Sequence, residues 1–150
     1  MVISKLNTTL IIDRLRVIQY SLLELEKMSK LSREDFLSDK RNPAASESFL
    51  RHAIESIFDI GRHILAKLKS KKILEYKEIA ELLGAEKIIT KDLSQKLIPI
   101  AGYRNRIVHF YHEITDEELY EILQKDLGDI REFVKSMEEF ISFYEESLQG

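Results

Sequence analysis

The stretch FLRHAIESIFDIGRHILAK, residues 49–67, carries the pattern that decides the fold class. Its large apolar residues return at three- and four-residue steps, so in a helix they share one face; they are Ile54, Ile57, Phe58, Ile64 and Leu65, with Gly61 among them. At about 100° per residue, a polar face lies opposite and comprises His52, Glu55, Ser56, Asp59 and His63. The stretch therefore predicts an amphipathic helix over residues 44–70, which Pro43 or Ser46 opens.

The segments on both sides of this helix carry similar patterns. Apolar residues at helical spacing predict a helix over residues 7–30, followed by a polar connection over 31–46 that has room for a short helical turn. A short helix is predicted over residues 75–84, and its final glycine is the expected stop. A further helix is predicted over residues 90–109, and Pro99 must either kink or split it because proline lacks the backbone donor.

The last helix is predicted to begin with a capping box, TDEE, in which Thr115 is the cap and Glu118 follows three residues later. It is expected to run to about Glu146, with a near-heptad apolar stripe that is long for a chain of this size. Part of that stripe is therefore expected to pack on a second subunit. Together these patterns predict one all-α domain over residues 1–150, an antiparallel bundle of about five helices that forms a homodimer.

The composition fits this fold and excludes several classes of protein. The chain has 150 residues, of which 44% are hydrophobic and 33% charged, with 5 glycines and 2 prolines. Because it has no cysteine, disulfides and thiolate metal sites are excluded, and a cytoplasmic location is expected. No apolar run reaches the roughly 20 residues that span a bilayer, and the N-terminus lacks the pattern of a signal peptide, so no membrane contact is expected. The net charge of −3 means that any nucleic-acid contact must be local.

One segment, AGYRNRIVHFYHEI over residues 101–114, concentrates polar chemistry that the bundle does not need. Arg104 and His109 are five residues apart, so on one straight helix they would point about 140° away from each other. Two arrangements would resolve this mismatch. The helix ends near His109, so that His109 and Tyr111 leave at a new angle, or two chains each contribute one such segment to a composite site.

These residue types suffice for cleaving RNA without a metal. The arginine fork suits phosphate, and histidine can move protons near neutral pH. A base would take the 2′-hydroxyl proton, an acid would protonate the departing 5′ oxygen, and cationic donors would stabilise the charged transition state. His109 and His112, three apart, also suggest a metal site, but two imidazoles make an incomplete one, so neither a metal nor another cofactor is expected.

The segment YRNRIVHFY reads as R-x-x-x-x-H-x-Y with an asparagine directly after the arginine, and it resembles the signature of the HEPN superfamily in its HepT-like branch. The stretch at residues 49–67 resembles the second helix of that branch, and LIPIAGYRNRIVHFY resembles its motif helix with the lead-in. The resemblance implies an all-α homodimer that acts as a metal-independent endoribonuclease, the toxin of a type VII-like toxin–antitoxin pair. It implies that Arg104 and His109 are catalytic, and it favours the composite site.

The resemblance also implies supporting residues and a partner. The polar residue after the catalytic arginine falls on Asn105. The implied partner is a minimal nucleotidyltransferase (MntA-like) antitoxin, which attaches AMP to the motif tyrosine, here Tyr111. Asp59 and His63, four apart on the polar face of their helix, are expected to line the same cleft and orient Arg104 or Arg106, unless they form only a solvated pair.

A second interpretation comes from another class of protein. The chain would then be a non-catalytic helical module that docks a nucleotidyltransferase or a nucleotide, and the polar segment would bind phosphate without cleaving RNA. Composition does not separate the two interpretations. The combination of Arg104, His109 and Tyr111 favours the enzyme, because a docking surface has no need of a histidine there.

Overall fold

The computed structural model describes residues 5–69, 75–109 and 113–149, and over these ranges the chain is all-α with no strand. The helices follow one another as α1 Thr8–Ser29, α2 Arg33–Ser38, α3 Arg41–Lys69, α4 Tyr76–Ala85, α5 Lys91–Val108, α6 Asp116–Lys125 and α7 Leu127–Gln149. Their buried apolar side chains form one cluster to which all seven contribute. The predicted all-α bundle is confirmed, with two more helices than expected.

Helix α1 runs antiparallel to both α3 and α7. The backbone N–H of Asn7, which caps α1, donates to His63 near the end of α3, while Tyr20 further along α1 meets the Phe49 ring near the start of α3. In the same way, Glu26 at the end of α1 pairs with Arg131 at the start of α7. The apolar stripes that the sequence predicted on α1 and α3 are buried between these helices.

The connection between α1 and α3 folds more than the sequence predicted. Ser32 caps α2 by accepting a hydrogen bond from the N–H of Asp35, and Phe36 of α2 is fully buried. Helix α3 begins at Arg41, so Pro43 is its third residue rather than the residue that opens it. Proline is tolerated there because the first backbone N–H groups of a helix have no partner within the helix.

The last predicted helix is two helices, α6 and α7, which meet at Asp126. The Asp126 N–H still bonds to the Ile122 carbonyl, but its φ of −107° and ψ of −8° depart from helical values. The Asp126 carboxylate accepts a hydrogen bond from the Tyr103 hydroxyl of α5 at 2.8 Å. A contact with another helix therefore coincides with the break, and no local pattern could have shown it.

The near-heptad stripe of α6 and α7 packs inside its own chain. All but one of its residues are buried, and Ile141 is partly buried; the buried ones are Leu119, Leu123, Leu127, Ile130, Val134, Met137 and Tyr144. The stripe therefore packs mainly within its own chain, Ile141 alone among these residues keeps an exposed part, and its contact with a second subunit stays a prediction. The stripe is long because it spans two helices that both face the core.

Helix α4 lies against α3 and α5 at two glycines. A Cβ on Gly61 of α3 would stand 2.6 Å from Cγ2 of Ile79, and a Cβ on Gly84 of α4 would stand 2.5 Å from Cβ of Ser94. The Ser94 hydroxyl donates to the Ala80 carbonyl at 2.7 Å, which links α5 to α4. The predicted stop at Gly84 is wrong, since α4 continues to Ala85 and the glycine instead permits this close approach.

Helix α5 carries the polar segment and runs unbroken through Pro99. Thr90 caps it by accepting a hydrogen bond from the Leu93 N–H at 3.1 Å. Among the described residues, no helix is both long and apolar enough to cross a membrane.

Candidate active site

The motif helix α5 ends at Val108, immediately before His109. His109 has φ −109° and ψ 120°, which is extended backbone, and its side chain is exposed. The chain therefore leaves the helix direction at the histidine, as the first of the two predicted arrangements requires. Tyr111 and His112 lie outside the described residues.

Arg104 lies one helical turn before the end of α5 and is half-buried. Its guanidinium carbon stands 5.3 Å from the centroid of the Tyr76 ring, over that ring. Its Nε is buried and has no hydrogen-bond acceptor among residues 5–69, 75–109 and 113–149. No ion pair joins Arg104 to a carboxylate in the described part of the chain. The arginine is thus held by an aromatic face and keeps its charge uncompensated by a direct partner.

Tyr76, the first residue of α4, was not predicted to belong to the site. Its ring stacks on Phe58 of α3 with centroids 4.5 Å apart and an angle of 13°, and the Arg62 guanidinium also lies over it at 5.7 Å. Burial raises the pKa of the Tyr76 hydroxyl, against the lowering effect of the Arg104 charge. The tyrosine is therefore neutral near pH 7. No pattern in the sequence indicates that a tyrosine at the start of a short amphipathic helix contacts Arg104.

Asn105 is exposed, whereas Arg106 forms a two-pronged ion pair with Glu118 of α6. Both N–H···O distances are 2.6 Å, and the arginine bonds lower the pKa of the Glu118 carboxyl. Thr115 accepts from the Glu118 N–H, which confirms the cap, while the Glu118 carboxylate goes to Arg106. Arg106 therefore joins α5 to α6.

Tyr103 anchors the same part of α5 from another side. Its hydroxyl donates to Asp126 at the junction of α6 and α7. Burial, followed by that hydrogen bond, raises the pKa of Tyr103 to about 12. The phenol therefore keeps its proton across the physiological range, and the motif helix is fixed on both sides of Arg104.

Asp59 and His63 have partners other than the predicted Arg104 and Arg106. Asp59 accepts from Arg14 of α1 at 3.2 Å and from Arg62 at 3.4 Å. The His63 Nε2 accepts the Asn7 N–H at 2.9 Å, and burial, then the Lys67 charge, lowers the pKa of His63. Asp59 is linked to the surroundings of Arg104 only indirectly: it accepts a hydrogen bond from Arg62, whose guanidinium lies over the same Tyr76 ring as that of Arg104. His63 fixes the start of α1, so a role for either residue in catalysis stays a prediction.

Comparison with known proteins identifies the family of this chain. The family model described as Ribonuclease HepT-like matches residues 18–137. A tRNA nuclease HepT of Aphanizomenon flos-aquae is 29% identical over 143 residues, which cover 95% of this chain and 97% of that protein. An mRNA nuclease HepT of Shewanella oneidensis is 28% identical over 85 residues, 57% of this chain and 64% of that protein.

A solved structure shares the fold. It is the tri-AMPylated Shewanella oneidensis HEPN toxin in complex with an MNT antitoxin, which matches with a TM-score of 0.78 at 22% identity and covers 87% of this chain and 97% of that one. The family model spans most of the chain, including the whole of α3 and the motif helix. The chain belongs to the HepT-like ribonuclease family.

Proposed function

We propose that this chain is an endoribonuclease in which Arg104 and His109 carry the chemistry, and that it is the toxin of a type VII-like toxin–antitoxin pair. The observation that carries the proposal is the state of Arg104: half-buried, without a carboxylate partner among the described residues, and one turn before His109. A buried cation without a counter-ion is costly, so such a site favours an anionic ligand. The relatives named as tRNA and mRNA nucleases support RNA as the substrate.

The reaction needs three groups and no metal. A neutral histidine takes the proton of a ribose 2′-hydroxyl, whose oxygen bonds to the adjacent phosphorus as the bond from phosphorus to the 5′ oxygen breaks. A protonated histidine gives its proton to that 5′ oxygen. The Arg104 N–H groups donate to the non-bridging phosphate oxygens, on which negative charge builds in the transition state. Asn105, exposed beside Arg104, is placed to contact the RNA backbone.

A homodimer would supply the second histidine. The chain leaves α5 at His109, and Val108 beside it is 42% exposed, which is high for a large apolar residue. Two copies that meet at this end of α5 would bring both His109 side chains to one phosphate and cover Val108. Light scattering at micromolar concentration should give twice the chain mass, whereas a monomer that still cleaves RNA would overturn the composite site.

Cleavage of RNA by the purified protein in EDTA tests the proposed activity. Arg104→Ala and His109→Ala should each slow it by about 10²–10⁴-fold, because each removes a group that acts in the transition state. The matched controls are Arg131→Ala and His52→Ala, which remove the same residue types from exposed positions away from α5. Absence of cleavage by the wild-type protein would favour the docking module, and cleavage that EDTA abolishes would favour a metal site.

We also propose that a minimal nucleotidyltransferase antitoxin silences the enzyme by adding AMP to Tyr111. The solved complex of an AMPylated HEPN toxin with its MNT antitoxin supports this regulation. Tyr111 follows His109 by two residues, so an added phosphate would compete with RNA for Arg104. Co-expression with the antitoxin should add units of about 329 Da, the mass of one AMP residue, to the Tyr111 peptide, and Tyr111→Phe should resist silencing. Addition at Tyr103 or Tyr120 instead would contradict this assignment.

The proposed setting is the cytoplasm, where such a toxin would meet cellular RNA and its antitoxin. No cofactor is required by the chemistry above. Within residues 5–69, 75–109 and 113–149 no three His, Asp or Glu side chains are grouped as a metal ion would need.

A further inference from the structure

The two motif arginines are held in contrasting ways. Arg106 gives both prongs of its guanidinium to the Glu118 carboxylate, so its charge is neutralised and its donors are occupied. Arg104 instead lies over the Tyr76 ring, and its buried Nε has no acceptor in the part of the chain that the structure describes. Arg106 joins α5 to α6, whereas no carboxylate of the described residues pairs with Arg104.

An aromatic face and a carboxylate restrain a guanidinium differently. The carboxylate accepts N–H bonds along the edge of the guanidinium, which is the edge a phosphate would need. The ring attracts the cation through its quadrupole and makes no use of that edge. Tyr76 can therefore fix the position of Arg104 while leaving its charge and donors for a phosphodiester.

The structure fixes Tyr76 more firmly than a surface tyrosine. Its ring stacks on Phe58 of α3, which is fully buried. Helix α4 itself sits close to α3 at Gly61 and is linked to α5 by the hydrogen bond from Ser94 to Ala80. The ring is thus carried by a helix that packs on both neighbours, one of which, α5, bears Arg104.

We propose that Tyr76 is a positioning residue for Arg104, in that its ring face holds the guanidinium where the scissile phosphate binds. The proposal rests on the proposed nuclease function and adds to it a residue from α4, outside the R-x-x-x-x-H-x-Y segment. The ring face is the active feature and the hydroxyl is not. Arg62 also lies over this ring, and its guanidinium donates to Asp59. We therefore expect that Arg62 does not take over the role of Arg104 in a variant that lacks the Tyr76 ring.

Kinetics of RNA cleavage by three variants test this role. Tyr76→Leu should lower kcat by about 10- to 100-fold, because a misplaced charge-stabilising group loses much of its effect in the transition state. Tyr76→Phe keeps the ring and should retain nearly the wild-type rate. The matched control is Tyr120→Leu, since Tyr120 also packs its ring on a phenylalanine, Phe36, but no guanidinium of the described residues lies over it. Tyr120→Leu should therefore cleave at the wild-type rate.

A double variant separates positioning from other effects. On the Arg104→Ala background, Tyr76→Leu should cause no further loss, because residues that act through one another are not additive. A further loss of the same size would show that Tyr76 acts independently of Arg104. Wild-type kcat in Tyr76→Leu, or equal defects in Tyr76→Leu and Tyr76→Phe, would also overturn the proposal.

The side-chain NMR spectrum provides a reading that does not depend on activity. In arginine-labelled protein, the Arg104 Nε–H proton, assigned by its loss in Arg104→Lys, should be shifted upfield by the Tyr76 ring current. The shift should persist in Tyr76→Phe and vanish in Tyr76→Leu; if Tyr76→Leu does not fold, its presence in wild type and Tyr76→Phe decides. An unshifted proton would refute the contact. Wild-type protein that shows the shift but cleaves no RNA would refute the proposed function and leave Tyr76 as the residue that holds Arg104.

Discussion

Gly61→Ala tests whether the close packing of α4 on α3 builds the site. The added Cβ would stand 2.6 Å from Ile79 Cγ2 and 3.0 Å from Leu83 Cδ1. Carbon atoms in contact normally lie at roughly 3.5–4.0 Å, so the helices are too close by about 1 Å. Ile79 is fully buried and β-branched, so its Cγ2 cannot turn away, and α4 as a whole must move.

Two terms of opposite sign set the size of the effect. Forcing a methyl group into a packed core costs about 1–3 kcal/mol. Replacing a glycine in a helix by alanine stabilises it by about 1 kcal/mol. The expected net loss in the free energy of unfolding is therefore about 0–2 kcal/mol.

Gly128→Ala isolates the packing term. The nearest atom to a Cβ on Gly128 is a guanidinium nitrogen of Arg131 at 3.9 Å, which is ordinary contact. Both variants remove a helical glycine, so their free energies of unfolding should differ by about 1–3 kcal/mol, mainly through the clash.

Urea unfolding followed by circular dichroism measures both variants, and RNA cleavage measures the site. Gly61→Ala should unfold at lower urea than Gly128→Ala. It should also cleave RNA more slowly, because the movement of α4 carries Tyr76 away from Arg104. If Gly61→Ala is as stable as Gly128→Ala, the close approach of α3 and α4 does not exist as described.

Two further predictions concern the contacts around the motif helix. The pKa of His63 is lower in the folded chain than in the unfolded chain, where it is about 6.5. The unfolded chain therefore takes up a proton at His63 first as the pH falls. The stabilisation that is present above about pH 6.5 should then be lost as the pH falls through the lowered pKa. Urea midpoints between about pH 8 and about pH 5 should therefore fall further for wild type than for His63→Gln, and equal falls would contradict the effect of burial on the pKa of His63. Arg106→Ala should destabilise the fold by about 1 kcal/mol or less, since its pair with Glu118 is more than a third exposed, and should slow RNA cleavage far less than Arg104→Ala. If Arg106→Ala loses as much activity as Arg104→Ala, Arg106 takes part in catalysis and is not only a link between α5 and α6.

The limits of sequence reasoning are visible in the last third of the chain. The cap at Thr115 was predicted because it depends on residues four apart at most, and the apolar stripe was predicted because its period is local. The division into α6 and α7 was missed, and so was the burial of most of the stripe within one subunit. The hydrogen bond at the division joins Tyr103 to Asp126 across 23 residues.

The candidate site divides in the same way. Spacing and residue types singled out Arg104 and His109, whereas their catalytic roles and the choice of Asn105 came from the resemblance to the HepT-like branch and stay predictions. The end of α5 at Val108 agrees with one of the two predicted arrangements. No pattern in the sequence predicted that Arg106 pairs with a carboxylate whereas Arg104 lies over an aromatic ring. Those partners come from α6 and α4, which only the packed bundle brings to α5.

Local patterns determined the all-α class, the approximate positions of the main helices and the cap at Thr115, because hydrogen bonds and apolar periodicity within a few residues suffice to select a helix. The sequence also determined which residue types stand in the motif. Only the packing of the helices decided that Arg106 pairs with a carboxylate and that Arg104 lies over an aromatic ring, since these partners come from other helices. Tyr76 reaches Arg104 because Gly61 and Gly84 let α4 approach both neighbours, and such approach distances arise only when the helices pack.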